Sequence, residues 1–244
     1  MSGIPNRDDR YLVMNMTDDD TILQLVAGVD EAGRGPMIGP MVVCGVAFDV
    51  ADIQRLESLG VKDSKLLTAT RREELYEHIS ELAENMVITP ISAAQIDDAR
   101  KRGISLNDIE LDAFVSIINE LQPSEVFVDA ADVDADRFGR QIIERCTLTP
   151  NCSVVSEHRA DITYPVVSAA SVLAKVERDH RIEELHAIHG DFGSGYPSDS
   201  VSVGFIQAVV SETGDVPDIV RRTWSPVRKI LLDAKTEQSQ LDSF

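Results

Sequence analysis

Leu23-Gln-Leu-Val-Ala-Gly-Val-Asp30-Glu31-Ala-Gly33-Arg34-Gly35-Pro36 is the stretch on which the fold turns. Leu23 to Val29 is apolar and reads as a buried strand. The chain then runs straight into two adjacent acids and a Gly-Arg-Gly-Pro loop. Two carboxylates closing an apolar strand are costly unless they are paired, protonated or bound to a cation. The plain alternative is a strand that has ended, with both acids solvated. A second short strand ends the same way, at Glu125-Val-Phe-Val-Asp129. If the two strands are parallel neighbours, their acids meet at one sheet edge, about 4.8 Å apart. That edge is where open α/β sheets bind ligands. Clustered oxygen donors without His or Cys nearby suit Mg²⁺ or Mn²⁺ better than zinc.

Outward from this segment, Val42–Phe48, Met86–Ile91 and Cys152–Ser156 read as further strands. Helical patterns cover about 70–84, 93–120 with a break near Gly103, 135–146, and a long, strongly amphipathic 165–189. The loop Gly190–Pro197 is marked by its Gly and Pro content, and helices are predicted near 199–211, 216–223 and 226–236. Five strands interleaved with helices predict an α/β fold. The short link between the first two strands favours an antiparallel pair, and hence a mixed five-stranded sheet flanked by helices. The expected organisation is a polar leader (1–20), a sheet domain (21–190), a helical C-terminal appendage (191–236) and a polar tail (237–244).

Composition adds one anomaly. The 244 residues are 43% hydrophobic and 27% charged, ordinary for a globular chain, yet the net charge is −19, with 17 Arg and only 6 Lys. Such a balance argues against a polyanionic partner, since nucleic-acid binding usually rests on a basic footprint. It also fits a surface adapted to a very salty cytoplasm, where a screening length of about 3 Å leaves only contact-range charges effective. Composition leaves both readings open. No apolar run reaches the roughly 18 residues of a membrane span, and the N-terminus lacks a signal-peptide core. A cytoplasmic protein with no membrane partner is expected. Cys44, Cys146 and Cys152 form no CxxC pair and read as reduced core thiols.

Gly33, Gly35 and Gly39 do not match a dinucleotide fingerprint: the spacing is GxGxxxG, and Pro36 stands where the helix would begin. The loop does offer backbone groups that a ligand can approach without meeting a Cβ; a tight hairpin turn is the equal alternative. Between His158 and Asp179, Asp161 precedes a helix as a possible cap. Ser171, Lys175 and Arg178 share one helical face, able to hold a phosphate or to form an ordinary solvated stripe.

Taken together, Gly28–Pro36, Lys62-Asp-Ser-Lys65-Leu66, Phe127-Val-Asp129, and Ala160-Asp161 followed by Tyr-Pro-Val-Val-Ser-Ala-Ala-Ser171 resemble ribonuclease HII, in its archaeal form, over about residues 25–230. The resemblance implies an RNase H-like fold and cleavage of the RNA strand of RNA–DNA hybrids. It also implies incision 5′ of single ribonucleotides embedded in DNA, leaving 3′-hydroxyl and 5′-phosphate ends. The family's four metal-binding acids fall on Asp30, Glu31, Asp129 and Asp161, which would hold two Mg²⁺ or Mn²⁺ ions. Gly33, Arg34 and Gly35 match the motif that reads the ribose 2′-hydroxyl, the group that tells RNA from DNA. Tyr196 matches a tyrosine that stacks near the ribo–deoxyribo junction; otherwise it is a loop aromatic covering the core. Lys65 and Lys175 are the leading candidates for phosphate contact, with Arg178 and Arg221-Arg222-Thr-Trp224 behind them.

Asp132, Asp134 and Asp136 lack the Gly and the bidentate Glu of a calcium loop and read as solvated acids. At the C-terminus, Gln238-Ser-Gln-Leu241-Asp-Ser-Phe244 resembles a sliding-clamp-binding box, one helical turn placing Leu241 and Phe244 in an apolar groove. A monomer is expected. The competing readings are another RNase H-like nuclease, such as a junction resolvase, and an acidic nucleotide-binding module without catalysis.

Overall fold

The computed structural model describes residues 24–61 and 67–241, with side chains to residue 236. The expected leader, Lys65, and the side chains of Gln238, Leu241 and Phe244 lie outside the described residues. Strand β1 (Leu25–Ala32) pairs antiparallel with β2 (Met41–Asp49), which pairs antiparallel with β3 (Asn85–Ile91). On its other side β1 pairs in parallel with β4 (Glu125–Asp129), and β4 with β5 (Ser153–Glu157). The order β3-β2-β1-β4-β5 is the mixed five-stranded sheet expected from the sequence.

The helices are α1 (Ile53–Ser58), α2 (Ala69–Leu82), α3 (Ala93–Lys101), α4 (Leu106–Leu121), α5 (Ala135–Arg145), α6 (Ala160–Thr163), α7 (Pro165–His189), α8 (Ser200–Thr213) and α9 (Ser225–Leu241). Strand alternation divides the sheet's side chains between two cores. Val26, Ala32, Val42, Cys44 and Phe127 face α7, while Ala27, Val29, Val43, Val126 and Val128 face α4 and α5. Helix α7 opens on Pro165, whose missing N–H is one that a helix start leaves unpaired anyway. From Pro165 to Ala174 every residue is buried, Ser168 and Ser171 included, so this half is buried all round rather than amphipathic. The reason is its position, pressed on β1 and β2 and covered on the outside by α1 and α2.

A third core joins Met37 and Ile38 to Ile182, Phe192, Ile206, Val210, Val216, Val220 and Val227, and so seats the C-terminal elements on the loop after β1. Residues 216–223, expected as a helix, are not one. Val220 bridges Ile38 antiparallel, and the Arg221 N–H reaches the Met37 carbonyl at 2.8 Å, so this backbone is satisfied by pairing across the fold. Helix α1 was not anticipated, and α9 continues through the expected tail to Leu241. Cys44 is buried, but Cys146 and Cys152 are only half-buried; all three are free thiols.

Candidate active site

Strand β1 does not stop before its acids. Asp30 pairs with Cys44 and Glu31 with Val43, so both lie within the sheet. Asp30 is 5% exposed, which excludes the solvated alternative for it. The parallel register sets Val29 against Val128, bringing Asp30 and Asp129 side by side at the ends of neighbouring strands. The third acid arrives after β5. Arg159 adopts a left-handed conformation (φ 59°) and its N–H donates to Asp129 Oδ1 at 2.8 Å. That turn starts α6 and delivers Asp161, 3% exposed. Asp30, Asp129 and Asp161 each offer a carboxylate oxygen, all within 4.8 Å of one another.

Glu31 is not part of that group. Strand alternation sends it to the opposite face, where Glu110 and Arg34 are among its electrostatic neighbours, with Asp129 also in range. Burial, then Glu110 and Asp129, push its carboxyl up to about 7. Burial, followed by Glu31 and Asp129, likewise holds Asp30 well above the usual carboxylate range, although Ser171 and Lys175 pull the other way. The donor set fits a hard divalent cation: carboxylate oxygens converge in a dry setting where their own charge is unfavourable.

Ser171 and Lys175 share a face of α7, as their spacing requires, and that face meets Asp30. The Ser171 hydroxyl bonds to Asp30, and the Lys175 ammonium donates to Ser171 Oγ. Arg178, one turn on, is 8% exposed and donates to the Ser194 carbonyl at 3.1 Å, so these residues do not form a solvated stripe. Its guanidinium lies 5.3 Å from the Tyr196 ring centroid. Tyr196 is 38% exposed, beside Gly35. Gly33 (φ +82°) lies against the Pro40 carbonyl and Arg178, where a Cβ would come within 2.6 and 2.8 Å of them. Asp132, expected to be solvated, is buried; the Arg137 guanidinium and the Asp134 N–H hold its carboxyl down at about 2.

Arg221 and Arg222 do not serve as the free phosphate contacts expected of them. Arg221 is fully buried and donates to the carbonyls of Gly33 (2.6 Å), Arg34 (2.9 Å) and Gly39 (3.1 Å). The Arg222 guanidinium is taken by Asp215 and the Val216 carbonyl. Trp224 donates its indole N–H to the Gly35 carbonyl at 3.2 Å.

Three neighbours of the site escaped the sequence reading. Glu110 is fully buried and ion-paired with Arg34, and burial pushes its carboxyl up to about 7. Asn107, one turn earlier, accepts from the same guanidinium at 2.7 Å. Asp97 accepts from the Arg222 and Thr223 N–H groups at 2.6 and 3.0 Å. Glu110 did leave a signal: it shares the apolar stripe of Phe114, Ile117 and Leu121, where an acid is out of place. Asp97 and Asn107 left none, because their partners are remote in sequence.

The family model described as Ribonuclease HII matches residues 27–227. Ribonuclease HII of Pyrococcus furiosus is 46% identical over 218 residues, covering 88% of this chain and 95% of that protein. The crystal structure of ribonuclease H2 from Pyrococcus horikoshii is similar with a TM-score of 0.81 at 42% identity, covering 87% of this chain and 99% of that one. The RNase HII of the PCNA:RNase HII complex from Archaeoglobus fulgidus is similar with a TM-score of 0.76 at 42% identity, covering 82% and 95%.

Proposed function

The chain belongs to the ribonuclease HII family, RNase H endonucleases that cleave the RNA strand of RNA–DNA hybrids, and from that premise we propose that it also incises 5′ of single ribonucleotides embedded in duplex DNA. The observation that carries the reading is a carboxylate triad, with Asp30 and Asp161 buried and Asp129 half-buried, whose first member lies on the strand that runs directly into the Gly-Arg-Gly loop. Asp30, Asp129 and Asp161 would hold Mg²⁺ or Mn²⁺; Glu31, on the other face of β1 but within electrostatic range of Asp129, is the fourth acid of the proposed two-ion set. Such ions, when bound, supply positive charge to the scissile phosphate and acidify a water. The chain's own groups set the stage for this. Ser171 and Lys175 orient Asp30, and the Arg159 N–H orients Asp129.

Gly35 is the part of the loop left for the substrate. A Cβ there would meet only the Tyr196 ring at 3.6 Å, an ordinary contact, so the fold itself makes no demand for glycine. Its bareness lets a sugar edge approach the backbone, with Tyr196 alongside to stack on the junction. These contacts and the bound ions answer the −19 charge locally, and the acidic, Lys-poor surface supports a salt-adapted enzyme.

The test is cleavage of a duplex carrying one ribonucleotide, in low and multimolar salt, beside Asp129→Asn. Metal-dependent incision 5′ of the ribonucleotide, lost in the variant, is expected. Folded protein that cuts neither this duplex nor a long hybrid under any condition would refute the assignment. A sliding-clamp partner, bound through Gln238, Leu241 and Phe244, is supported by the Archaeoglobus relative, whose structure is a complex with PCNA. Deleting 238–244 is expected to abolish clamp pull-down while leaving nuclease activity in free solution unchanged; undiminished pull-down would remove the box from consideration.

A further inference from the structure

The buried Arg221 has no carboxylate partner among its hydrogen bonds. Its Nε and both terminal nitrogens go to backbone carbonyls, those of Gly39, Arg34 and Gly33. Desolvating a guanidinium is expensive, and here it lowers the pKa to about 10. What this unusual placement achieves follows from peptide geometry. The described residues contain no cis peptide bond, so each carbonyl points opposite to the N–H of the next residue. Drawing the Gly33 and Arg34 carbonyls inward to Arg221 therefore turns the Arg34 and Gly35 N–H groups outward. Among the described residues neither N–H donates a hydrogen bond, consistent with donors held for something outside the fold.

The next carbonyl, that of Gly35, is held from the same side by the Trp224 indole N–H, while Pro36 has no N–H to present. Three consecutive carbonyls of the loop are thus taken from beneath by one turn, residues 221–224. Asp97 anchors that turn through the Arg222 and Thr223 amides.

We infer that Arg221, assisted by Trp224, is the positioning residue for ribose discrimination: it fixes the peptide planes of Gly33-Arg34-Gly35 so that two N–H groups face the oxygen of a ribose 2′-hydroxyl. This rests on the reading of the loop given above. Arg221 touches no substrate; it acts through the loop backbone. A lysine in its place cannot hold three carbonyls at the spacing a planar guanidinium spans.

The test compares wild type, Arg221→Lys and Trp224→Phe in Mg²⁺, after melting curves show each folded. KM and kcat are measured on a duplex with one ribonucleotide, and an uncleaved all-DNA duplex of the same sequence serves as competitor. The ratio of the competitor's Ki to the substrate's KM reads discrimination by the ribose alone. With one to two hydrogen bonds misdirected, the ratio is expected to fall about tenfold in Arg221→Lys and less in Trp224→Phe, with the all-DNA Ki unchanged. A folded Arg221→Lys that keeps the wild-type ratio would overturn the inference, as would equal weakening of both duplexes, the mark of a merely structural role. If Arg221→Lys does not fold, Trp224→Phe decides on the same criteria. Wild type that shows no discrimination would instead refute the reading of the loop.

Discussion

Gly28→Ala is a single added methyl group placed where two elements of the site meet. A Cβ on Gly28 would come within 2.1 Å of the Val166 carbonyl oxygen and 2.5 Å of the Val167 nitrogen, both backbone atoms at the start of α7. Neither can swing aside as a side chain would, so the whole helix start must retreat from β1. A radial gap of about 0.5–1 Å already forfeits a quarter to a half of each dispersion contact. Overpacking of this kind costs about 1–3 kcal/mol, and a backbone obstacle places it near the upper end. At about 2–4 °C per kcal/mol for a chain of this size, the melting temperature is expected to fall by about 6–12 °C. The functional effect follows from what α7 carries: Ser171 and Lys175 would withdraw from Asp30, while α6, just before it, shifts Asp161. Stabilisation by Mg²⁺ in thermal melts should therefore shrink along with activity. Gly45→Ala is the control. Its Cβ meets Ile117 Cγ2 at 2.2 Å and Leu121 Cδ1 at 3.0 Å on the α4 side, away from the acids, so a loss of about 1–3 kcal/mol with an intact Mg²⁺ response is expected. A Gly28→Ala protein that melts with the wild type and responds fully to Mg²⁺ would refute this account of how α7 is seated.

Gly33→Ala and Gly35→Ala should separate folding from substrate binding: the first lowers the melting temperature because of the positive φ and the Pro40 carbonyl, whereas the second melts normally and loses activity in a cleavage assay. Equal thermal effects would contradict that division. Asp30→Asn should stabilise the metal-free protein at neutral pH. Burial raises the folded-state pKa of Asp30, so its ionised form destabilises the fold, and wild-type stability drains away as pH rises above the unfolded value of about 3.8. The variant's advantage in chelator melts should thus vanish toward pH 4 and reverse when a divalent cation is added at neutral pH; an advantage that grows on acidification would show the sign to be wrong.

Much of this architecture could be read from local pattern. Glu125–Asp129 is a strand with the boundaries its apolar run predicts, and 165–189 a helix with its ends set by Pro165 and Gly190. The short β1–β2 link correctly required an antiparallel pair within a mixed sheet. The converging of Asp30 and Asp129 was legible too, since both close apolar runs. Where local pattern misled, the cause was a long-range partner. Residues 216–223 have helical composition, yet their backbone is spent on the 37–39 segment. Helix α7 is buried on every side in its first half because α1 and α2 cover it.

The chain's periodicities, caps and acid-ended strands, properties of neighbours in sequence, determined most of the elements, the sheet and two of the acids that meet at its edge, Asp30 and Asp129, while Asp161 was marked by the family resemblance. Only the tertiary structure decided which face Glu31 takes among charges that set its acidity. It alone converted Arg221, a surface cation by composition, into the buried support of a loop 188 residues away. A guanidinium finds three carbonyls only where the returning chain brings them, and no pattern along the sequence encodes that meeting.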